Sequence, residues 1–257
     1  MIEKTVIKTN GVTNSNRRAE LELRLALLEI NRFGMEISMK ISFEDIRNNA
    51  AVKTYIQKAD ESLIALGYTE HSFCHVLRVA EMASSILLEL GYDKRDAELA
   101  QIAGYLHDIG NVVNRIDHAQ SGAVMAFRIL DNMGAEPEDT ATIITAIGNH
   151  DEATAFPVNP IAAALILADK TDVRYTRVRN KDISSFDIHD RVNYAVKESN
   201  VKIVKGSHIE LTLKIDTGMC SVMEYFEIFI DRMILCRKAA EKLGVDFWLI
   251  INGQRVV

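Results

Sequence analysis

The segment AGYLHDIGN, residues 103–111, places a histidine and an aspartate side by side at the end of an otherwise apolar run. Burying two such ionisable groups without partners would cost several kcal/mol, so the pair should face solvent or hold a partner. Further groups of this kind lie on or beside apolar helical ridges at His75, His118, His150 and Asp169. Imidazoles and carboxylates together suit first-row metals such as iron, manganese or zinc, and a set of this size favours two ions over one.

Each histidine also has a purely structural interpretation. A single histidine beside an apolar ridge is more often a core residue that is hydrogen-bonded to a backbone carbonyl group. A metal site requires instead that helices far apart in sequence converge, which helical periodicity cannot establish. The spacing alone therefore leaves both interpretations open.

Mainly α-helices must position these residues. Apolar residues recur at intervals of three and four and prolines are few, so the chain from about residue 14 to about residue 200 is predicted to be mostly helical. A capping-box pattern at Ser42 and Asp45 predicts a helix that ends near residues 66–68, and Asp93 can cap one that reaches Leu106. Other predicted helices cover about residues 76–90, 118–133, 138–150 and 159–173.

The pattern changes after this helical stretch. HIELTLKI alternates like a strand, the residues from about Ser221 to Leu243 are helical in pattern, and DFWLIINGQRVV indicates strand, turn and strand. We expect an N-terminal helical extension over residues 1–41, a helical domain over residues 42–200 and a small α+β element over residues 201–257. The helix predicted at residues 17–30 covers the body or makes a dimer contact, so a homodimer stays open.

Composition limits the classes of partner. A net charge of −6 and a pI near 5.7 provide no broad basic surface, which argues against duplex nucleic acid as a partner. The cysteines form no CxxC pair, which is typical of a reducing compartment. We find neither a signal-peptide pattern nor the run of about 20 apolar residues that a membrane span needs. We therefore expect a cytoplasmic protein, and this composition is compatible with a small anionic ligand held by a few local cations.

The ordered set of these residues is similar to a known signature. His75 in HSFCHVLRVAEMA, His107-Asp108 in AGYLHDIGN and Asp169 in LILADKTD resemble the H...HD...D motifs of the HD-domain superfamily of metal-dependent phosphohydrolases. The resemblance covers roughly residues 45–195 and implies a mainly α HD-domain bundle within residues 42–200. His118 in HAQSGA and His150 in AIGNHDE match the additional histidines of the dinuclear branch.

The resemblance also implies a role for each matched residue. His75, His107 and Asp169 would hold one divalent metal ion, such as iron or manganese, while His118 and His150 hold a second. Asp108 would bridge the two ions and is the first catalytic candidate. The implied activity is hydrolysis of a nucleotide, or of another small phosphate ester or anhydride, by a metal-activated bridging water.

Two departures from the family pattern concern the substrate. The cyclic di-GMP branch has a GYP motif where this chain reads NHDEATAFPVNP, which argues against cyclic di-GMP. Asn111 stands where that branch often has lysine, a phosphate contact or proton donor. We predict that Lys170 takes over part of this role, although a solvated lysine late in a helix is an equal alternative.

Arginines close to the predicted ligands provide candidate phosphate contacts. Arg174 and Arg177 follow the last ligand, and Arg78 lies one turn from His75, so all three are predicted to bind substrate phosphates unless they are ordinary solvated cations. Asp172, one turn past Asp169, could orient a ligand histidine. The remaining histidines and the tryptophan receive no role: His71 is outside the signature, His189 and His208 are expected at the surface, and Trp248 is expected to pack.

Two other functions are compatible with the same residues. Some HD-fold oxygenases resemble this set of four histidines and two aspartates, so a di-iron oxygenase is the first alternative. The second is a non-catalytic sensor that keeps the metal site and binds ligands or partners through residues 205–257. A sensor that does not catalyse a reaction would not need six metal ligands, so the complete set favours the enzyme.

Overall fold

Two consecutive helices begin the part of the chain that the computed structural model describes, residues 39–257. Helix α1 (Phe43–Asn48) starts with the predicted capping box of Ser42 and Asp45. Asn49 then leaves the helical conformation, and its side chain accepts hydrogen bonds from the first backbone amides of α2 (Ala50–Ala65). The single helix predicted here is therefore two, because an asparagine N-cap starts a new helix. The extension predicted for residues 1–41, with its helix at 17–30, lies almost entirely outside the described residues.

The next five helices form the body of the bundle and agree closely with the predicted ranges. They are α3 (Phe73–Leu90), α4 (Lys94–Leu106), α5 (His118–Asn132), α6 (Pro137–Gly148) and α7 (Pro160–Lys170). Asp93 caps α4 as expected, and the Asn159 side chain caps α7. A short 3-10 helix, Ile109–Val112, follows α4.

Helix α7 lies at the centre of the molecule. Residues 161–168 are all buried, and the helix packs against α3, α4 and α6. A helix that is apolar on every side is a core helix. Its C-terminal end carries Asp169 and Lys170 into the middle of the bundle.

Two glycines allow the backbones around His107 and Asp108 to approach closely. A Cβ atom on Gly104 of α4 would lie 2.8 Å from Cα of Ala80 in α3. A Cβ atom on Gly110 would lie 2.0 Å from the carbonyl oxygen of His118, the first residue of α5. Because only glycine fits these contacts, the His107-Asp108 pair is held against both α3 and α5.

A four-stranded sheet follows helix α8 (Ile188–Ala195). Strands β1 (Val196–Val204) and β2 (His208–Ile215) are antiparallel, and β2 pairs in parallel with β3 (Asp246–Ile251). Helix α9 (Val222–Lys242) makes the crossover between them, and β4 (Gln254–Arg255) is antiparallel to β3.

Strand β1 corrects one prediction. The helical stretch ends at Ala195 rather than near residue 200, and the boundary predicted between residues 200 and 201 falls inside β1. The strand alternates between more and less exposed residues, a period of two that its mostly polar sequence, VKESNVKIV, expresses weakly.

The fold is mainly α with a small sheet, as predicted. The remaining C-terminal elements appear as expected: β2, α9 with its Ser221 cap, and the strand-turn-strand of β3 and β4. Helix α9 packs on α7 as well as on the sheet, so this element contacts the centre of the bundle. Within residues 39–257, no helix is both long and apolar enough to cross a membrane.

Candidate metal centre

Four imidazole rings meet at the centre of the bundle. His75 lies on α3, His107 directly follows α4, His118 begins α5, and His150 follows α6. All four are buried, and ring centroids of successive pairs, 75–107, 107–150 and 150–118, are 5.3, 5.0 and 5.0 Å apart. Helices distant in sequence therefore converge on one point, which periodicity alone could not establish.

The Nδ1 atom of each ring is held by an oxygen that only accepts hydrogen bonds. The partners are Asp172 Oδ2 for His75 at 2.8 Å, Gly104 O for His107 at 2.8 Å, Arg115 O for His118 at 3.0 Å and Ile147 O for His150 at 2.6 Å. Each Nδ1 must therefore carry the proton and donate it. In the neutral rings, the Nε2 lone pairs are then free to bind a metal.

The Asp108 carboxylate faces both pairs of imidazoles. Its Oδ2 atom lies 3.2 Å from Nε2 of His107 and 3.7 Å from Nε2 of His75. Its Oδ1 atom lies 3.6 Å from Nε2 of His118 and accepts a 2.8 Å hydrogen bond from Nδ2 of Asn111. One carboxylate is thus placed to contribute an oxygen on each side.

Asp169 completes the side that contains His75 and His107. Its Oδ1 atom is 3.4 Å from Nε2 of His75 and 3.8 Å from Nε2 of His107. The other oxygen, Oδ2, is 2.7 Å from Nζ of Lys170. The lysine therefore fixes which carboxylate oxygen points to the imidazoles.

The residues fit divalent cations. His75, His107 and Asp169 offer donor atoms within 4.8 Å of one another, and so do His107, Asp108 and His150. Nε2 of His75, Nε2 of His107 and Oδ2 of Asp108 are buried without a hydrogen-bond partner. Such groups are costly unless something satisfies them, and a cation among them would satisfy all three.

The second side shows the same need. Nε2 of His118 lies 3.2 Å from Nε2 of His150. Since both Nδ1 atoms carry protons, two lone pairs face each other unless one ring is doubly protonated or a cation binds both. The structure thus brings all six predicted donors together.

The electrostatics keep both carboxylates charged. Burial works to raise the pKa of Asp108, but His107 and the neighbouring histidines hold it well below its usual range. Burial acts in the same way on Asp169, whose pKa is held well below its usual range mainly by Lys170. Burial, reinforced by the charges of His107 and Lys170, places the pKa of His150 well below the ordinary histidine value.

Lys170 is neither solvated nor free. Its Nζ contacts Asp169 and lies 3.0 Å from Oε2 of Glu152, whose other oxygen pairs with Arg232 of α9. Burial opposes the charge of Lys170, but Asp169 and Glu152 raise its pKa. A lysine held protonated by two carboxylates is a fixed cation, which does not support the predicted role as proton donor.

The predicted substrate arginines lie in different places. Arg78 and Arg174 do not line the cavity beside the imidazoles; both pair with Asp172, at 3.3 Å and 2.6 Å. Arg177 does line it, but its Nε and Nη1 donate to the carbonyl oxygens of Glu70 and Asp172. The buried Asp172 carboxylate attracts these cations. Arg78 and Arg174 therefore contact the carboxylate that holds His75 instead of facing the cavity.

A cavity of about 500 Å³ opens beside the imidazoles. Its walls include Asp108, His118, His150 and Asp169. Lining residues without a role predicted from the sequence include Tyr68, His71, Arg115, Asp187, His189, Asp190 and Arg232. Arg232 belongs to α9, so the C-terminal element forms part of the wall. Arg115 lies within the loop that follows HDIGN, and only its closeness to His118 in sequence could have indicated it.

The four residues that received no role from the sequence lie in different environments. His71 is half-buried, its Nδ1 lies 2.7 Å from the carbonyl oxygen of Thr69, and its ring centroid is 5.5 Å from that of His75. His189 is exposed, as expected, on the cavity rim. His208 is buried rather than exposed, because its ring stacks on Trp248 with centroids 3.4 Å apart. Trp248 packs as predicted, with Arg255 over its ring.

Parts of this chain are similar in sequence to known proteins. The HD domain family model matches residues 72–181. An uncharacterized protein of Methanocaldococcus jannaschii is 25% identical over 211 residues, which cover 72% of this chain and 81% of that protein. Ribonuclease Y of Bacillus pumilus is 25% identical over 158 residues, 58% of this chain but only 28% of that protein's length.

Among solved structures, a predicted HD superfamily hydrolase from an uncultured Thermotogales bacterium is 27% identical, with a TM-score of 0.38. The match covers 48% of this chain and 67% of that one. The family match spans α3 to α7 with His75, the His107-Asp108 pair and Asp169. Residues 72–181 of this mainly α chain are therefore similar to HD domains.

Proposed function

We propose that the protein is a metal-dependent phosphohydrolase that cleaves a nucleotide or another small phosphate ester or anhydride. One observation carries the proposal: four imidazoles, each held at Nδ1 so that Nε2 carries the lone pair, converge with two charged carboxylates beside an open cavity. A hydrogen-bonded core would not leave three donor atoms buried and unpartnered.

Two divalent cations fit the donor set. His75, His107 and Asp169 would hold one, His118 and His150 the other, and Asp108 has an oxygen on each side. When bound, such a pair of cations lowers the pKa of a water molecule and neutralises charge on a phosphoryl group.

The chain's own residues keep this set in position. Asp172 orients the His75 ring through Nδ1, and Asn111 holds Oδ1 of Asp108. Lys170 fixes the orientation of Asp169 and offsets its charge. Because these groups are buried, their electrostatic interactions are stronger than they would be in water.

The cavity favours a small ligand over a polymer. Its volume of about 500 Å³ lies within the range of small-molecule sites. Arg115 lines it without an acidic partner, and cations held by the donor set would add positive charge, so an anion is the expected ligand. The similarity to a protein named ribonuclease Y makes a phosphodiester the class to test beside mononucleotides.

The proposal is tested by chromatography of products after incubating the Mn²⁺-loaded or Fe²⁺-loaded protein with a substrate panel. The panel contains nucleoside mono- and triphosphates, dinucleoside polyphosphates, cyclic dinucleotides, a short single-stranded RNA and a simple phosphomonoester. Asp108→Asn is the inactive variant, and Asp131→Asn, an exposed carboxylate on α5, is the matched control.

We expect metal-dependent cleavage of one class, lost in Asp108→Asn and retained in Asp131→Asn. If both metal-loaded preparations leave the whole panel uncleaved, the proposed hydrolase is wrong. Oxygen consumption by the iron-loaded protein would then support the oxygenase, and tight nucleotide binding without turnover would support the sensor.

A further inference from the structure

Arg115 lies on the loop between the Ile109–Val112 turn and α5, and it lines the cavity. Its Nη1 atom is 3.2 Å from Nε2 of His118 and 3.4 Å from Oδ1 of Asn111. Its guanidinium carbon is 5.5 Å from the centre of the Tyr68 ring. None of these partners carries a negative charge.

The other cations of the cavity already have anionic partners. Lys170 pairs with Asp169 and Glu152, and Arg232 pairs with Glu152. Arg177 lies 3.8 Å from Oδ2 of Asp172 and donates to backbone carbonyl groups. Within residues 39–257, Arg115 is the cavity cation that makes no ion pair.

A half-buried cation without a counter-charge, adjacent to a metal-binding set, is suited to an anionic ligand. Guanidinium groups bind phosphate in bidentate geometry, which gives both strength and orientation. We propose that Arg115 is the residue that binds the phosphate group of the substrate beside His118. The identity of that substrate rests on the proposed function; the anion site itself does not.

The contact with His118 adds a coupling between metal and anion. The Nε2 lone pair of His118 can accept from Arg115 or bind a cation, but it cannot do both. A cation at His118 therefore releases Nη1 of Arg115 for the phosphate. Metal and phosphate should bind cooperatively, with Arg115 as the residue that moves between the two contacts.

The test uses inorganic phosphate and Mn²⁺ as probes, with the full chain and isothermal titration calorimetry. Arg115→Gln removes the charge and keeps a polar side chain, Arg115→Lys keeps the charge, and Arg128→Gln on the exposed face of α5 is the matched control. Mn²⁺ binding is measured first, and phosphate binding to the Mn²⁺-loaded protein second.

We expect Arg115→Gln to weaken phosphate binding by about tenfold to hundredfold, the range for a lost charge-assisted hydrogen bond. Arg115→Lys should recover part of this loss, and Arg128→Gln should match the wild type. Mn²⁺ should bind to Arg115→Gln at least as tightly as to the wild type, because a competitor for His118 is gone. A general structural defect would instead weaken both ligands.

Phosphate affinity within twofold of wild type in Arg115→Gln overturns the inference, as does a wild-type protein that binds no phosphate when loaded with Mn²⁺. Arg115-dependent phosphate binding without cleavage of any substrate would leave the inference intact and contradict the hydrolase. Cleavage of a substrate with a KM that is unchanged in Arg115→Gln would support the hydrolase and contradict the role of Arg115.

Discussion

The carboxylate of Asp172 accepts a 2.8 Å hydrogen bond from Nδ1 of His75, across 97 residues of sequence. The same carboxylate binds Arg174 through both oxygens and lies close to Arg78. The Asp172 carboxylate therefore orients the His75 ring, and Arg174 and Arg78 in turn hold the carboxylate in place. Burial opposes this charge, but the hydrogen bonds from His75 and Arg174 keep the pKa of Asp172 well below its usual range.

This relationship predicts that Asp172→Ala weakens metal binding without removing a metal-binding atom. Loss of a hydrogen-bond partner behind a ligand histidine typically costs about tenfold to hundredfold in metal affinity. We expect that range for Mn²⁺ by calorimetry, with Asp131→Ala unchanged. Equal affinities in the two variants would mean that the Asp172 contact does not orient His75 for a metal.

Metal removal should lower the stability of the folded protein. A ligand that binds only the native state stabilises it by about 2.7 kcal/mol when its concentration is one hundred times its dissociation constant. We expect Mn²⁺ to raise the unfolding temperature of the wild type and a chelator to reverse the change. His150→Ala should show a smaller response, because only the group of His75, His107 and Asp169 keeps all its donors, and full retention would contradict the assignment of His150.

Glu152 is predicted to contribute to stability because it lies between two cations. Replacing it with glutamine leaves Arg232 without its carboxylate partner and Lys170 with Asp169 alone, and the loss of such a charged partner at a partly buried site typically costs about 1 to 3 kcal/mol. Urea unfolding of Glu152→Gln measures the cost. Glu241→Gln is the control: Glu241 forms an exposed pair with Arg237 on α9, for which we expect a change below about 0.5 kcal/mol.

Gly110→Ala should disrupt the site by backbone displacement. The added Cβ atom would meet the carbonyl oxygen of His118 at 2.0 Å, so α5 must shift and carry His118 away from Asp108. Overpacking of this kind costs about 1 to 3 kcal/mol or more. Gly148→Ala is the matched control, since its Cβ atom meets only Ala123 at an ordinary 3.6 Å. Normal unfolding temperature and Mn²⁺ affinity in Gly110→Ala would contradict this account.

The sequence predicted the helices and the donors well because both depend on local patterns. Apolar spacing and caps such as Ser42 and Asp93 determined the main helix starts. The HD-type motif then selected the residues that the fold brings together. The one-turn spacing from Asp169 indicated Asp172 as the support of a ligand histidine, and the structure identifies that histidine as His75.

Charge partners depend on three-dimensional proximity, and here the sequence was misleading. Arg78 and Arg174 were selected for their closeness to ligands along the chain, yet Asp172 binds both outside the cavity. Arg232 follows Lys170 by 62 positions in the sequence. Only the packing of α9 on α7 brings it to the cavity, so the sequence did not indicate it. Polar strand β1 was missed because its partner β2, rather than its own hydrophobicity, defines it.

The parallel pairing of β2 with β3 affects how the protein folds. These strands are separated by the whole of α9, so they can pair only after a non-local crossover has closed, which is a slow event for a folding chain. Until then, one edge of β2 is exposed and open to pairing with another molecule. Because Arg232 lies on the same crossover helix and pairs with Glu152, we expect protection of this strand edge to accompany completion of the cavity wall.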